Sequence, residues 1–188
     1  FSIRIGLGLN TLFLKTPIII MKIIFLDIDG VLNCSTTNEK INGVYRGIGD
    51  DQLKLLFSIV SKTNSKLVLI SSWKEHWYKK PELKCKQDEL ANYLDKRLSE
   101  FNMHISWKIS NEFIDRGKAI KQFLSICKAK GYRINFIILD DELFDYKQEG
   151  LNTNLIRTNF NRGGLTNSCV ERAIDLLLKT SLDLISYL

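Results

Sequence analysis

The sequence predicts a single α/β domain in which about five parallel strands form a sheet with helices on both of its faces. Short apolar runs of strand length alternate along the chain with longer segments whose apolar residues recur with the period of a helix. Parallel strands joined by helices require crossovers, which place the helices as outer layers on the sheet. The 188 residues suffice for one well-buried domain and are too few for two of ordinary size. The predicted fold is therefore a three-layer, Rossmann-like domain.

The individual elements follow from this alternation. The five predicted strands begin near Ile23, Lys66, His104, Asn135 and Leu155. Apolar residues on one helical face predict helices over residues 50–63, 87–101 and 115–130, and a last helix from residue 168 onward. Asp50 is the predicted cap of the first helix, and Ser168 with Glu171 forms a predicted capping box for the last.

The connection between the first strand and the first helix, residues 33–50, is polar and contains glycine. Within it, Asn42-Gly43 lies between apolar residues and is typical of a hairpin turn. We expect this segment to form a small flap, so that the domain has a minimal cap and an open site.

Composition excludes several classes of protein. A hydrophobic fraction of 45% with 26% charged residues is ordinary for a globular domain, which argues against a disordered or fibrous chain. The net charge of +6 favours a polyanionic partner without requiring one. The four cysteines are scattered, which indicates neither a zinc site nor a disulfide framework and fits a cytoplasmic protein. The chain contains no run of about eighteen apolar residues, so no membrane span is expected.

The boundary of the domain is predicted near Met21. Phe1 is not an initiator residue, and Met21 stands immediately before the first strand. We therefore expect residues 1–20 to be a leader or a non-native extension and residues 21–188 to form the domain.

Polar residues follow three of the apolar strands, and a basic pair opens one helix. Asp27 and Asp29 follow the first strand, Ser71 and Ser72 the second, and Asp140 and Asp141 the fourth, whereas Arg116 and Lys118 lie in the first turn of the third helix. The carboxyl ends of parallel strands share one edge of the sheet, where ligands bind in open α/β folds.

Carboxylates gathered at such an edge repel one another unless a cation or a proton lies between them. Asp27, Asp140, Asp141 and the backbone carbonyl of Asp29 would offer oxygen ligands only, the set that Mg²⁺ prefers. Asp27 can attack phosphorus to give an aspartyl-phosphate, while Asp29 protonates the leaving oxygen and later deprotonates water. The sequence therefore predicts a Mg²⁺-dependent phosphoryl-transfer site.

The stretch Asp27-Ile28-Asp29-Gly30-Val31 resembles the first motif of the haloacid dehalogenase-like (HAD) superfamily, in the form typical of its phosphatases. The resemblance extends to all four motifs of the superfamily in the right order, from about residue 22 to residue 166. It implies a nucleophilic Asp27, an acid/base Asp29, a phosphoryl-binding Ser71 and a metal-binding pair at Asp140 and Asp141. For the basic residue of the third motif it leaves two candidates, Arg116, which aligns better, and Lys118.

More narrowly, the sequence resembles the HAD domain of Swiss Army Knife RNA repair proteins, on the stretches around Asp27, Ser71, Arg116, Asp140 and Thr166. This implies a phosphomonoesterase that acts on terminal phosphates of RNA or DNA. The predicted substrate-binding residues are Gly30, Ser72, Trp73 and Lys74. Lys74 stands where this group commonly has arginine.

For the two tryptophans of this segment, Trp73 and Trp77, two interpretations have equal weight. They stack against a base of the substrate, or they pack into the core.

Two other functions stay open. One is a phosphatase of small nucleotides or other metabolites, and the other is a receiver-like module that binds phosphate without turnover. The order of the motifs argues against a receiver, because there the acid pair precedes the phosphorylated aspartate, whereas here Asp27 comes first. Asp29 also supplies a general acid that a long-lived phosphorylated switch lacks. The oligomeric state is not predicted.

Overall fold

A computed structural model describes residues 20–112 and 115–183 of the protein. Its strands are β1 (Ile20–Leu26), β2 (Lys40–Ile41), β3 (Tyr45–Arg46), β4 (Lys66–Leu69), β5 (Ile105–Lys108), β6 (Arg133–Asp140) and β7 (Leu155–Arg157). Five of them form one parallel sheet in the order β5-β4-β1-β6-β7, and β2 pairs with β3 in an antiparallel hairpin. The first strand therefore lies at the centre of the sheet.

In the described residues, four α-helices flank the sheet. They are α1 (Asp50–Thr63), α2 (Glu89–Ser99), α3 (Arg116–Ala129) and α4 (Asn167–Asp183). Buried residues of α1, α2 and α4 pack with one face of the sheet, and those of α3 pack with the other. The predicted three-layer α/β fold is confirmed.

The alternation of side chains along β1 explains the two cores. Ile24 and Leu26 point into the core beneath α1, α2 and α4, while Ile23 and Phe25 point into the core beneath α3. All four side chains are fully buried, as expected for a strand with helices on both sides. A central strand buried on both faces holds its carboxyl end, and therefore the residue after it, in a fixed position.

Three helix starts differ from simple capping rules. Asp50 is the first residue of α1, and Gly49 occupies the cap position, so the predicted cap by Asp50 is wrong. Helix α4 begins at Asn167, which puts Ser168 inside its first turn rather than at the cap. The cap residue of α3, Asp115, makes no side-chain capping bond.

The first N–H groups of α3 are instead satisfied from a distant part of the chain. The carboxylate of Asp145 accepts hydrogen bonds from the backbone N–H of Gly117, at 2.6 Å, and of Lys118, at 3.0 Å. Free N–H groups at a helix start stabilise a nearby carboxylate, so this contact fixes the start of α3 against the loop after β6.

The segments near the site are short. The β2-β3 hairpin turns at Asn42 and Gly43, which have φ angles of 50° and 70°, as the predicted hairpin turn requires. After β4, the chain forms two 3-10 turns, Ser72–Lys74 and Pro81–Lys86, before α2 begins. These small insertions agree with the predicted minimal cap.

The predicted boundary near Met21 concerns residues that mostly lie outside the described part of the chain. Of residues 1–20, only Ile20 is described, and it belongs to β1. None of the described helices is long and apolar enough to span a membrane.

Candidate active site

The ends of β1 and β6 bring two aspartates side by side at the centre of the carboxyl edge. The two strands pair in register, with Leu26 opposite Leu139. The backbone N–H of Asp27 donates to the carbonyl of Leu139 at 3.0 Å, which extends the pairing by one residue beyond β1. Asp27 and Asp140 therefore leave the sheet next to each other, and both are almost completely buried.

Asp141 completes a cluster of three carboxylates. One oxygen from each of Asp27, Asp140 and Asp141 lies within 4.8 Å of the others. Gly30 makes room for this arrangement, because a Cβ atom there would lie 2.0 Å from Oδ2 of Asp141. Its φ angle of +71° also favours glycine.

Arg116 is the cation that enters this cluster. Its Nη1 lies 2.9 Å from Oδ2 of Asp27 and 2.6 Å from Oδ2 of Asp140. Lys118, the alternative for the third motif, is exposed and pairs with Asp115 at 2.7 Å. The structure thus brings Arg116 to the carboxylates, and the prediction that Lys118 belongs to the site is wrong.

Burial and charge shift the titration of these groups. Burial, the largest influence, raises the pKa of Asp27 to about 6; Arg116 opposes this rise and Asp140 adds to it. Burial and the neighbouring acids Asp140 and Glu142 also raise the pKa of Asp141. The pKa of Arg116 is raised by Asp27 and Asp140 despite burial, so the guanidinium stays charged.

The cluster fits a hard divalent cation. Oδ1 of Asp27 is buried and has no hydrogen-bond partner among the described residues, although burying a polar atom without a partner is costly. An orphaned carboxylate oxygen beside two further carboxylates is the donor set that Mg²⁺ prefers. The side chain of Asp29 is not part of this cluster.

Asp29 is exposed, yet both of its carboxylate oxygens accept hydrogen bonds. Nε1 of Trp73 donates to Oδ2 at 3.0 Å, and Nδ2 of Asn33 donates to Oδ1 at 2.8 Å. Asn33 is itself oriented by the backbone N–H of Gly30, which donates to its Oδ1 at 3.1 Å. Two side chains therefore fix the direction of the Asp29 carboxylate.

This arrangement decides between the two interpretations of the tryptophans. Trp73 is only 5% exposed and lies against Tyr93, with ring centroids 6.4 Å apart, so it offers no open face to a base. Trp77 is buried as well, and its Nε1 donates to Asp95 at 2.9 Å. The prediction that Trp73 stacks on the substrate is wrong, because both rings pack into the protein.

Ser71 and Lys74 lie beyond the end of β4, which pairs with β1. Ser71 is buried, and its Oγ accepts from the backbone N–H of Trp73 at 3.4 Å. Ser72 is exposed and Lys74 is partly buried. Burial and the nearby charge of Arg116 lower the pKa of Lys74, whereas Glu75 and Asp27 act in the opposite direction.

Lys74 is therefore close enough to Arg116 and Asp27 for their charges to act on it. Among the described residues, its ammonium group forms no hydrogen bond or ion pair. It is a cation near the cluster that a ligand can engage.

Some residues at the site were not found from the sequence. Tyr146 is fully buried, and its hydroxyl donates to Oδ2 of Asp140 at 2.6 Å. Thr158 is also buried and donates to the carbonyl of Gly30 at 2.7 Å. Neither lies in a recognisable motif, whereas Asn33 belongs to the conspicuous stretch that begins at Ile23 and could have been singled out there.

The fold and the site together define a class of protein. A central parallel strand presents Asp27 and Asp29, and a neighbouring strand presents Asp140 and Asp141 beside an arginine. This is the arrangement of a HAD-type domain. The family model described as "HAD domain in Swiss Army Knife RNA repair proteins" matches residues 23–170. The chain belongs to this family.

Comparison with other proteins gives more distant likenesses. A hypothetical protein from Xanthomonas campestris is 12% identical, with a TM-score of 0.43, over 89% of this chain and 86% of that one. The cobalt-bound deoxy-D-mannose-octulosonate 8-phosphate phosphatase of Haemophilus influenzae is 13% identical, with a TM-score of 0.43, over 86% of this chain and 85% of that one. No curated protein matches the sequence.

Proposed function

We propose that the protein is a Mg²⁺-dependent phosphomonoesterase that removes terminal phosphates from nucleic acids, with RNA ends as the preferred substrate. The main observation behind this proposal is the environment of the two carboxylate oxygens of Asp27. One of its oxygens contacts Arg116, the other is buried with no hydrogen-bond partner in the described part of the chain, and two further carboxylates lie within 4.8 Å. An oxygen so held is suited to attack a phosphorus atom.

The reaction then proceeds in two displacements. An oxygen of Asp27 forms a bond to phosphorus, the bond from phosphorus to the ester oxygen breaks, and Asp29 gives its proton to that oxygen. In the second step Asp29 takes a proton from water, whose oxygen attacks phosphorus and releases phosphate and the Asp27 carboxylate. The exposed position of Asp29 suits exchange of protons with both a leaving group and water.

Several groups of the chain oppose the negative charge of the phosphoryl group. Asp27, Asp140 and Asp141 would hold Mg²⁺, which when bound neutralises charge on the phosphoryl oxygens. Arg116 and Lys74 supply positive charge from the protein itself. Ser71 contributes a hydroxyl at the end of β4, the strand next to β1.

The hydrogen bond from Trp73 to Asp29 leads to a first prediction. Trp73→Phe keeps an aromatic ring but removes the N–H that orients the acid/base. We expect kcat to fall about ten- to a hundredfold with little change in KM, because misplacement of a reacting group costs rate rather than binding. Steady-state kinetics on a small phosphate ester measures this.

Trp77→Phe is the matched control. It removes the same kind of indole hydrogen bond to an aspartate, Asp95, from the same segment of the chain. Its kcat should stay near that of the unchanged protein, even if both variants lose about 1–3 kcal/mol of stability. Equal losses of kcat in the two variants would show that Trp73 acts only through stability.

Charge near the site supports a nucleic acid as substrate. Nζ of Lys79 lies 4.6 Å from the centroid of Trp107, and Nζ of Lys108 lies 5.4 Å from that of Tyr78. Nζ of Lys108, at the end of β5, also donates to the carbonyl of Lys74 at 2.7 Å, so it contacts the segment that follows Ser71, on which Lys79 lies. Lysines beside aromatic rings are common where proteins contact single strands.

Four further features support the proposal. The insertions near the site are small, which leaves space for a large substrate, and the net charge is +6. The matching family is described by its role in RNA repair proteins. All four cysteines are free thiols, which suits the reducing cytoplasm.

A comparison of phosphatase activities with Mg²⁺ tests the proposal. We expect oligonucleotides with a 3′- or 5′-phosphate to exceed the matching mononucleotide in kcat/KM, and the advantage to shrink as salt rises, because phosphate contacts release counterions. Addition of a chelator should abolish turnover, and Mg²⁺ should restore it. Equal rates on oligonucleotide and mononucleotide at low salt would instead identify a phosphatase of small metabolites. A stable phosphorylated protein without turnover would identify a receiver-like module.

A further inference from the structure

An aromatic side chain with an open surface lies beside the carboxylate cluster. Phe144 belongs to the loop that follows β6, residues 141–146, here termed the β6 loop. The centroid of its ring is 4.1 Å from Cζ of Arg116, the same guanidinium that contacts Asp27 and Asp140. Phe144 is 39% exposed, although the buried rings of Trp73 and Tyr146 show that the protein can enclose aromatic side chains nearby.

The backbone of Phe144 is held in an unusual conformation. Its φ angle is +27°, in a region that bulky residues rarely adopt. Such conformations persist where the surroundings enforce them, and they concentrate at binding and catalytic sites. This backbone conformation does not bury the ring completely, so packing into the core does not explain why the conformation is kept.

The neighbours of Phe144 in the β6 loop hold it in place. Asp145 accepts two hydrogen bonds from the first turn of α3, and the hydroxyl of Tyr146 donates to Asp140. The rings of Phe144 and Tyr146 meet edge to face, with centroids 6.0 Å apart. Arg116 thus lies over one face of the Phe144 ring and Tyr146 packs against the ring, yet the residue is still 39% exposed.

We propose that Phe144 forms a subsite for a planar aromatic group of the substrate, namely the base of the nucleotide that carries the scissile phosphate. This inference rests on the proposed function. A phosphoryl group on Asp27 would lie beside Arg116, whose Nη1 is 2.9 Å from Oδ2 of Asp27, and the Phe144 ring lies over the same guanidinium, 4.1 Å from its Cζ. A nucleotide is joined to the phosphoryl group through one ester oxygen, so its base is carried past Arg116 and meets the open surface of Phe144.

A comparison of substrates with and without a base tests the subsite. The first substrate is adenosine 3′- or 5′-monophosphate, whichever the unchanged protein hydrolyses faster. The second is the ribose phosphate that carries its phosphate at the same position but has no base. For Phe144→Ala we expect kcat/KM to fall about tenfold or more on the nucleotide, the range seen for loss of one stacked base, and to change less than about twofold on the sugar phosphate. Phe144→Trp should retain the preference for the nucleotide.

The neighbouring Leu143 offers a matched control. It lies in the same loop and is 53% exposed, so Leu143→Ala removes a similar apolar surface without an aromatic ring. We expect it to leave both substrates unaffected. If Phe144→Ala lowers both activities equally, the ring serves only to position Arg116 and the proposal is wrong. No loss on either substrate also overturns it.

Binding measurements separate failure of this inference from failure of the proposed function. Absence of any hydrolysis by the unchanged protein would contradict the proposed function alone. Titration calorimetry of Asp27→Asn, with and without Phe144→Ala, then tests the subsite directly. Tighter binding of the nucleotide than of the sugar phosphate, lost on adding Phe144→Ala, supports the subsite, whereas equal affinities overturn it.

Discussion

Asp27→Asn is expected to lower kcat by at least about a thousandfold while the protein stays folded. Asparagine has nearly the same volume as aspartate, but its amide is too poor a nucleophile to attack phosphorus. The variant also relieves the crowding of negative charge, since Asp27 is buried beside Asp140 and Asp141. Its free energy of unfolding in urea should therefore change little, which separates loss of chemistry from loss of structure.

Trapping of a phosphorylated protein and a control variant test the role of Asp27 directly. Rapid quenching of the unchanged protein with a ³²P-labelled ester should trap label on the protein, and Asp27→Asn should trap none. Asp51→Asn is the matched control, because Asp51 is an exposed aspartate of α1 that pairs with Lys54 at 3.5 Å on the surface. Residual activity of Asp27→Asn above about a hundredth of the parent value would rule out Asp27 as the nucleophile.

Arg116→Met is expected to have the next largest effect. Methionine keeps the apolar stem but leaves Asp27 and Asp140 without the cation that lies 2.9 and 2.6 Å from them. We expect kcat to fall about a hundred- to a thousandfold, as when a single oxyanion-stabilising donor is removed. The protein should also lose about 3–5 kcal/mol of stability, the usual consequence of breaking a buried ion pair from one side.

Lys118→Met provides the comparison for Arg116. Lys118 lies in the same helical turn and pairs with Asp115 at the surface, where ion pairs contribute little. Its kcat and urea midpoint should match those of the unchanged protein. A loss of activity in Lys118→Met as large as that in Arg116→Met would show that Lys118 takes part in the active site.

The sheet and its carboxyl edge were predictable because local patterns determine them. The run from Ile23 to Leu26 is apolar without interruption, which is typical of a strand buried on both faces, and Asp27 follows it directly. Parallel strands in such a sheet end at the same edge, so Asp27, Ser71 and Asp140 could be brought together without knowledge of their contacts.

The sequence alone could not show whether Arg116 or Lys118 faces the carboxylates. Residues two apart on a helix point in directions roughly 200° apart, so only one of the two can face the carboxylates. Which one does so depends on how α3 is rotated against the sheet. That rotation is set by distant contacts, among them the bonds from Gly117 and Lys118 to Asp145.

The role of Trp73 was missed for a similar reason. A tryptophan beside lysines, as at Trp73-Lys74, is equally compatible with an exposed stacking ring and with a buried one. The hydrogen-bond acceptor of its indole, Asp29, lies 44 positions earlier in the chain. Phe144 and Tyr146 were missed because a short loop has no periodicity from which the direction of a side chain can be inferred.

The capping of α3 by Asp145 has a consequence for the dynamics of the protein. The β6 loop joins Asp140 and Asp141 to the start of α3, and the same helix turn carries Arg116. Segments linked in this way tend to open as one cooperative unit in native-state hydrogen exchange. The amide protons of Gly117 and Lys118 can exchange with solvent only when the contact between α3 and the β6 loop is broken. Their exchange rates therefore measure how often the segment that carries Arg116 separates from the loop.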